Sequence, residues 1–269
     1  MRASVGASAF FRPPARPAGR IATLDPLWNN TGMHSTVRIG LIGDFSEQHK
    51  AHKAIPKALA GAPGGGAESV WIPTDAIPNP KGLCEYQGLW CVPGMPYRNP
   101  QGVLEAIRYA RMSRTPFLGT SAGFQYAILE FARHVLGLSE ADHQKSNPKS
   151  SVPLIGPLGV AMAGVKARVR FTRGSALNRA YGTTESVEEY RCSFGVNGRY
   201  RRLLEGRDLL VSAVDDQDEI RAVELEGHPF FVATLFQPEL RSLESSAPNP
   251  LVDSFVTVCQ RVQKVSVAS

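Results

Sequence analysis

Hydrophobic positions along the chain fall into short, nearly continuous runs that alternate with stretches of helical spacing. The first run, Val37-Arg38-Ile39-Gly40-Leu41-Ile42-Gly43, ends in glycine and predicts a buried parallel strand followed by a functional loop. Helical spacing follows over about 49–60, and Pro56 inside it predicts a helix that begins there or is kinked. After a Gly-rich turn at 62–66, Val70-Trp71-Ile72-Pro73 predicts a second strand, and 88–94 a third that is broken by Pro93-Gly94. Asn99-Pro100 opens a helix carried by Leu104, Ile107 and Ala110. The apolar run 115–119 then leads without a gap into an amphipathic helix over 122–136. Strand alternating with helix at this interval predicts an α/β fold, a doubly wound, mostly parallel sheet flanked by helices. From 161 to 237 the texture becomes hairpin-like, and candidate strands at 165–171, 209–214, 220–225 and 230–236 add antiparallel strands in the C-terminal half.

Composition narrows the class. The 269 residues are 43% hydrophobic and 20% charged, which suits one large or two small globular domains and is too apolar for intrinsic disorder. No run approaches the roughly 18 apolar residues that cross a bilayer, so no membrane partner is expected. The four cysteines, Cys84, Cys91, Cys192 and Cys259, form no Cys-x-x-Cys pair, which argues against a disulfide framework or a zinc ribbon and for a reducing compartment, the cytoplasm. The net charge of +6 is uneven. Residues 1–32 hold Arg2, Arg12, Arg16 and Arg20 against the single acid Asp25, a local balance of +3, with Pro13, Pro14 and Pro17 and little periodicity. This segment reads as a disordered leader, either a transit peptide or a mis-assigned start before Met33. The second is favoured because neither an apolar h-region nor helix periodicity is present. Residues 33–269 are then a single domain whose remaining +3 is too weak to argue for nucleic acid.

Two sequences imitate sites without their chemistry. Gly61 and Gly66 have phosphate-loop spacing, but Ala67-Glu68 follow where Lys and Ser or Thr would hold phosphate and magnesium. Asp215-Asp216-Gln217-Asp218-Glu219 reads as a hairpin turn and lacks the spacing of a calcium loop. No metal and no cofactor are expected. Gly119-Thr120-Ser121-Ala122-Gly123, by contrast, matches G-x-S-x-G between a predicted strand and helix. A sharp turn there exposes a serine, small neighbours permit the strained backbone, and helix-start amides can face an oxyanion.

The stretch Pro116-Phe117-Leu118-Gly119-Thr120-Ser121-Ala122-Gly123-Phe124-Gln125, with Glu130-Phe131-Ala132-Arg133-His134-Val135-Leu136-Gly137 behind it, resembles the nucleophile region of the class I glutamine amidotransferases. It is most similar to the C-terminal glutaminase domain of CTP synthase. Gly40-Leu41-Ile42-Gly43 resembles that domain's first strand, and Ala180-Tyr181-Gly182 and Phe194-Gly195-Val196-Asn197 its middle section. His228-Pro229-Phe230-Phe231-Val232 and Phe236-Gln237-Pro238-Glu239 resemble its final strand and catalytic turn. The similarity spans about residues 37–262 and implies the flavodoxin-like sheet of that family.

The family frees ammonia from glutamine with a Cys thiolate, a His base and a Glu that orients the His. Carried onto this sequence, the resemblance puts Ser121 at the nucleophile, Gln237 at the base and Glu239 at the orienting acid. It implies Gly94 and Ala122 as oxyanion donors and Gln125 and Arg191 as substrate contacts. The acid that would hold the substrate ammonium falls at Lys145, which repels it. Pro96 also enters the oxyanion loop, where it has no N–H to donate. An amide such as Gln237 cannot take a proton from a hydroxyl at neutral pH. Among the histidines, His228 lies roughly 30 Å along an extended strand from Gln237, and His134 lies about 20 Å along a helix from Ser121. His143 is the one whose position leaves it open, though a solvated loop histidine is the more economical reading.

Two function classes follow. One is a divergent amide hydrolase or amidotransferase using Ser121, acting on a small amide or amino-acid-like ligand and supplying an ammonia-accepting synthetase partner. The other is a catalytically silent pseudo-glutaminase with a ligand-binding or regulatory role. CTP synthesis is not expected of this chain alone, because the ATP-dependent synthetase region of that enzyme has no counterpart in it.

Overall fold

Four strands of the N-terminal half pair in parallel. They are β1 (Arg38–Ile42), β2 (Glu68–Ile72), β3 (Gly88–Cys91) and β4 (Phe117–Thr120), with helices α1 (Lys50–Ala60), α2 (Pro100–Ser113) and α3 (Ala122–His134) between and after them. β1, β3 and β4 are buried and each is followed by a helix, whereas β2 is the partly exposed edge. The structure, a computed structural model, describes residues 36–77, 80–205, 208–245 and 249–268, all within the unit Ser35–Ser269. The expectation for residues 1–32 lies outside the described residues.

The chain continues through β5 (Ala141–His143), β6 (Val152–Phe171), α4 (Ala176–Tyr181), β7 (Glu185–Val196), α5 (Arg201–Leu204), β8 (Leu209–Val214), β9 (Ile220–Leu225), β10 (Phe231–Thr234), α6 (Arg241–Glu244) and α7 (Pro250–Ala268). The strand order is β2-β1-β3-β4-β10-β9-β8-β6-β5, with β7 paired to β6. Strands β2, β1, β3, β4 and β10 run parallel, whereas β10–β9, β9–β8, β8–β6 and β6–β7 are antiparallel. The doubly wound sheet with added antiparallel strands is therefore present. Ile39, Leu41, Leu89, Trp90, Phe117 and Leu118 are fully or almost fully buried in it.

Local chemistry explains where elements start and stop. Asn99 caps α2 by accepting from the Gly102 N–H at 3.0 Å, with Pro100 in the first turn, where its missing N–H costs nothing. Pro56 neither starts α1 nor ends it. The helix runs through it because Ala51, Ala54, Ile55, Ala58 and Leu59 form a buried face whose packing outweighs one lost backbone hydrogen bond. β6 and β7 depart most from expectation. Pro153, Pro157 and Gly164 interrupt the hydrophobic pattern, and the pairing absorbs the irregularity as register shifts between Pro157 and Met162 and between Ala163 and Val165.

The turn after β4 is held by close packing. A Cβ on Gly123 would collide with the Cys91 carbonyl oxygen, and one on Gly119 would lie 2.9 Å from the Gly123 oxygen. Gly123→Ala is therefore expected to lower stability by roughly 1–3 kcal/mol, the usual cost of overpacking. Urea denaturation checks this, and an unchanged midpoint would contradict the close approach of α3 to β3.

Candidate functional site

β4 ends at Thr120, and the backbone must reverse at once into α3. Ser121 does this at φ 53°, ψ −103°, a conformation that costs a non-glycine residue about 1–3 kcal/mol. Two backbone bonds hold it. The Ser121 N–H donates to the Thr234 carbonyl at 2.8 Å, and the Gln125 N–H donates to the Ser121 carbonyl at 3.2 Å. The first is a consequence of register. Thr120 lies opposite Thr234 in the parallel β4–β10 pair, so the chain leaving β10 emerges beside Ser121 at the C-terminal edge of the sheet. Gln237 follows within three residues, and its N–H donates to the Glu189 carbonyl of β7 at 2.8 Å.

A cavity of about 510 Å³ opens at this edge and is lined by Gly94, Ser121, Ala122, Gln125, Arg191 and Gln237, together with His143 and Lys145. Every site residue expected from sequence except Glu239 lies on its wall. Glu239 is fully buried and does not line it. Its Oε1 accepts from Thr120 Oγ1 at 3.3 Å, and Thr120 Oγ1 in turn accepts from Trp90 Nε1 at 3.1 Å. Glu239 Oε2 and Gln237 Oε1 are buried with no hydrogen-bond partner among the described residues. Desolvation pushes the Glu239 carboxyl up to about 8, so it is largely protonated at neutral pH. Ser121 Oγ makes no hydrogen bond to a described residue, so no base is engaged with it.

His143 is a correction to the sequence reading. It is almost fully buried on β5 and is not a solvated loop residue. The Lys145 N–H donates to its Nδ1 at 3.1 Å, which places the ring proton on Nε2, and Nε2 lies 3.2 Å from Gln125 Oε1, to which it donates. Burial, and then the Lys145 charge, lower its pKa to about 4. A neutral ring with one nitrogen already accepting and the other donating has no free lone pair for a hydroxyl proton. His143 is thus a positioning group. It fixes Gln125, whose Nε2 donates to the Phe194 carbonyl at 2.8 Å.

His52 was also missed. Its Nδ1 accepts from the Ser46 N–H at 2.9 Å and its Nε2 contacts the Pro93 carbonyl at 2.7 Å, so it anchors the loop that carries Gly94. Its pKa is lowered, chiefly by burial. Arg191 donates from Nε to Glu189 Oε1 at 2.9 Å. The other histidines lie elsewhere: His228 contacts the Ala110 carbonyl at 3.2 Å, and His134 contacts Glu130 at 3.3 Å. Cys91 and Cys192 are buried, and burial raises both thiols to about 12. Among the described residues no group of three or more His, Cys, Asp or Glu is arranged to hold a metal, and no helix is long and apolar enough to cross a membrane.

A strained strand-to-helix elbow at the carboxyl edge of a doubly wound sheet, faced by the segment that follows the neighbouring parallel strand, defines an amidotransferase-type α/β protein. The sequence model described as Glutamine amidotransferase class-I matches residues 66–258. The chain belongs to that family. It is 33% identical over 246 residues to a CTP synthase of Rubrobacter xylanophilus, covering 85% of this chain and 44% of that protein. It is 32% identical over 247 residues to a CTP synthase of Saccharolobus solfataricus, covering 85% and 46%. The chain thus spans less than half the length of these curated relatives. Among solved structures it is similar to the glutaminase domain of Trypanosoma brucei CTP synthase with bound acivicin, at a TM-score of 0.75 and 23% identity, covering 84% of this chain and 94% of that one.

The protonated Glu239 gives a pH test. Its native value near 8 lies above the ordinary 4.5, so between those values the folded state holds a proton that the unfolded state has released. The stability this group contributes is complete below pH 4.5 and is lost as pH rises through 8, by on the order of a few kcal/mol. Glu239→Gln, which is neutral at every pH, is expected to lose less stability than the parent between pH 5 and 8 when melting temperatures are compared. Identical pH dependence in the two proteins would contradict a buried, protonated carboxyl.

Proposed function

We propose that this chain is a non-hydrolysing class I glutamine amidotransferase-like protein, a pseudo-glutaminase that retains the cavity of the family as a small-ligand site. The observation that carries this reading is Gln237, an amide whose buried carbonyl oxygen has no partner among the described residues, at the position where the resemblance requires a base. A serine is far less nucleophilic than a thiolate unless a base removes its proton. Of the two histidines on the cavity wall, His143 has both ring nitrogens engaged, and His49 makes no hydrogen bond to Ser121 among the described residues. With no cation beside it, the buried Glu239 carboxyl is largely protonated and so is not poised as the anionic orienting group of a triad.

The remaining residues keep binding rather than chemistry. Gln125 is locked by His143 and Phe194, Arg191 presents a planar fork suited to a carboxylate, and Gly94 and Ala122 flank Ser121. An ammonia-accepting synthetase partner, implied for a hydrolysing member, has no part in this reading. Four free cysteines fit a reducing, cytoplasmic setting.

Purified protein and its Ser121→Ala variant, incubated with L-glutamine and separately with a fluorophosphonate probe, test the proposal. No ammonia above background and no covalent mass increase are expected from either protein. Ammonia release or labelling that is present in the parent and absent in Ser121→Ala would overturn it and establish a serine-dependent hydrolase.

A further inference from the structure

The charge of the cavity wall identifies the kind of ligand it takes. Lys50, Lys145 and Arg191 all line it, and no aspartate or glutamate does. Lys50 and Lys145 form no ion pair among the described residues. Arg191 meets Glu189 through Nε, and its two terminal NH2 groups make no hydrogen bond to a described residue. The other titratable groups on the wall are His49, His143 and Cys192. His143 is neutral at pH 7 and the Cys192 thiol is protonated, so of the three cations only Arg191 is balanced, by Glu189 behind it, and Lys50 and Lys145 leave the wall positive.

Two helix starts reinforce this field. α1 begins at Lys50 and α3 at Ala122, both residues lie on the wall, and neither helix carries an acid in its first turn. The N-terminal ends of helices of this length present unpaired N–H groups and partial positive charge toward the cavity. An α-amino-acid zwitterion brings an ammonium that this environment disfavours, whereas a second carboxylate gains from it.

We infer that the cavity at Ser121 is selective for a small dicarboxylate without an ammonium group, and discriminates against glutamine. The inference rests on the reading of the cavity as a ligand site. Lys145 is the specificity-determining residue, because it stands just after β5, two positions from His143, exposed and with no carboxylate partner among the described residues. Arg191 supplies the carboxylate fork, and Lys50 adds the third cation from a separate element.

Calorimetric titration of the Ser121→Ala protein with glutarate and with L-glutamine tests this. These ligands have the same chain length, and the variant removes any turnover, so the outcome is independent of whether the parent hydrolyses amides. Glutarate is expected to bind more tightly than glutamine by a factor of up to about five, the most that one exposed charge pair contributes. Lys145→Glu, at an exposed position, is expected to reverse the order of preference, and Lys145→Ala to weaken glutarate alone by about fivefold. Arg191→Ala is expected to weaken both ligands. Binding of glutamine equal to or tighter than glutarate, binding of neither, or a preference unchanged by Lys145→Glu overturns the inference.

Discussion

The parallel pairing of β4 with β10 is the constraint on which the site depends. Opposing Thr120 to Thr234 makes the Thr234 carbonyl available to the Ser121 N–H and delivers Gln237 to the same edge, although Ser121 and Gln237 lie 116 residues apart in the chain. A one-residue slip would move every side chain of β10 to the opposite face and separate the two. The strained backbone of Ser121 is tolerated because Gly119 and Gly123 let α3 and β3 approach it, and because two backbone bonds fix it on either side. The elbow is therefore a property of the sheet, and it persists whether or not the serine reacts.

That separation of scaffold from chemistry explains how the family architecture and an altered catalytic set coexist. The residues that shape the cavity are tied into the fold: His52 to Pro93, His143 to Gln125, and Gln125 to Phe194. The residues that would move protons are not tied to one another. Among the described residues Ser121 Oγ has no partner, and both Gln237 Oε1 and Glu239 Oε2 are buried without one. Leaving such atoms unpaired costs stability, so the proton on Glu239 is a physical response to burial in an apolar setting.

Much of this was legible in sequence, for reasons specific to each element. The parallel strands announced themselves because burial on both faces demands continuous apolar runs, as in 37–43 and 115–119. The elbow was legible because only small residues fit around Ser121, and Gln237 was legible because the segment 236–239 resembles the family's catalytic turn. The β6–β7 arm was not, since prolines and glycines that usually end strands are here absorbed by bulges. Of the two alternatives at Pro56, a helix start is overruled, because a buried face on both sides of the proline carries the helix through it. His143 could not be placed by local pattern, because its burial arises from the pairing of β5 with the N-terminal end of the long β6.

The central claim is that position 237, which shares the cavity wall with Ser121, lacks the base that activation requires. The most direct measurement compares Ser121→Cys with Ser121→Cys/Gln237→His by the pH dependence of thiol alkylation with iodoacetamide. A histidine restored beside the thiol should lower the alkylation midpoint by about one pH unit or more relative to the single variant. Midpoints that coincide in the two proteins would show that position 237 does not reach the elbow, and would contradict the account.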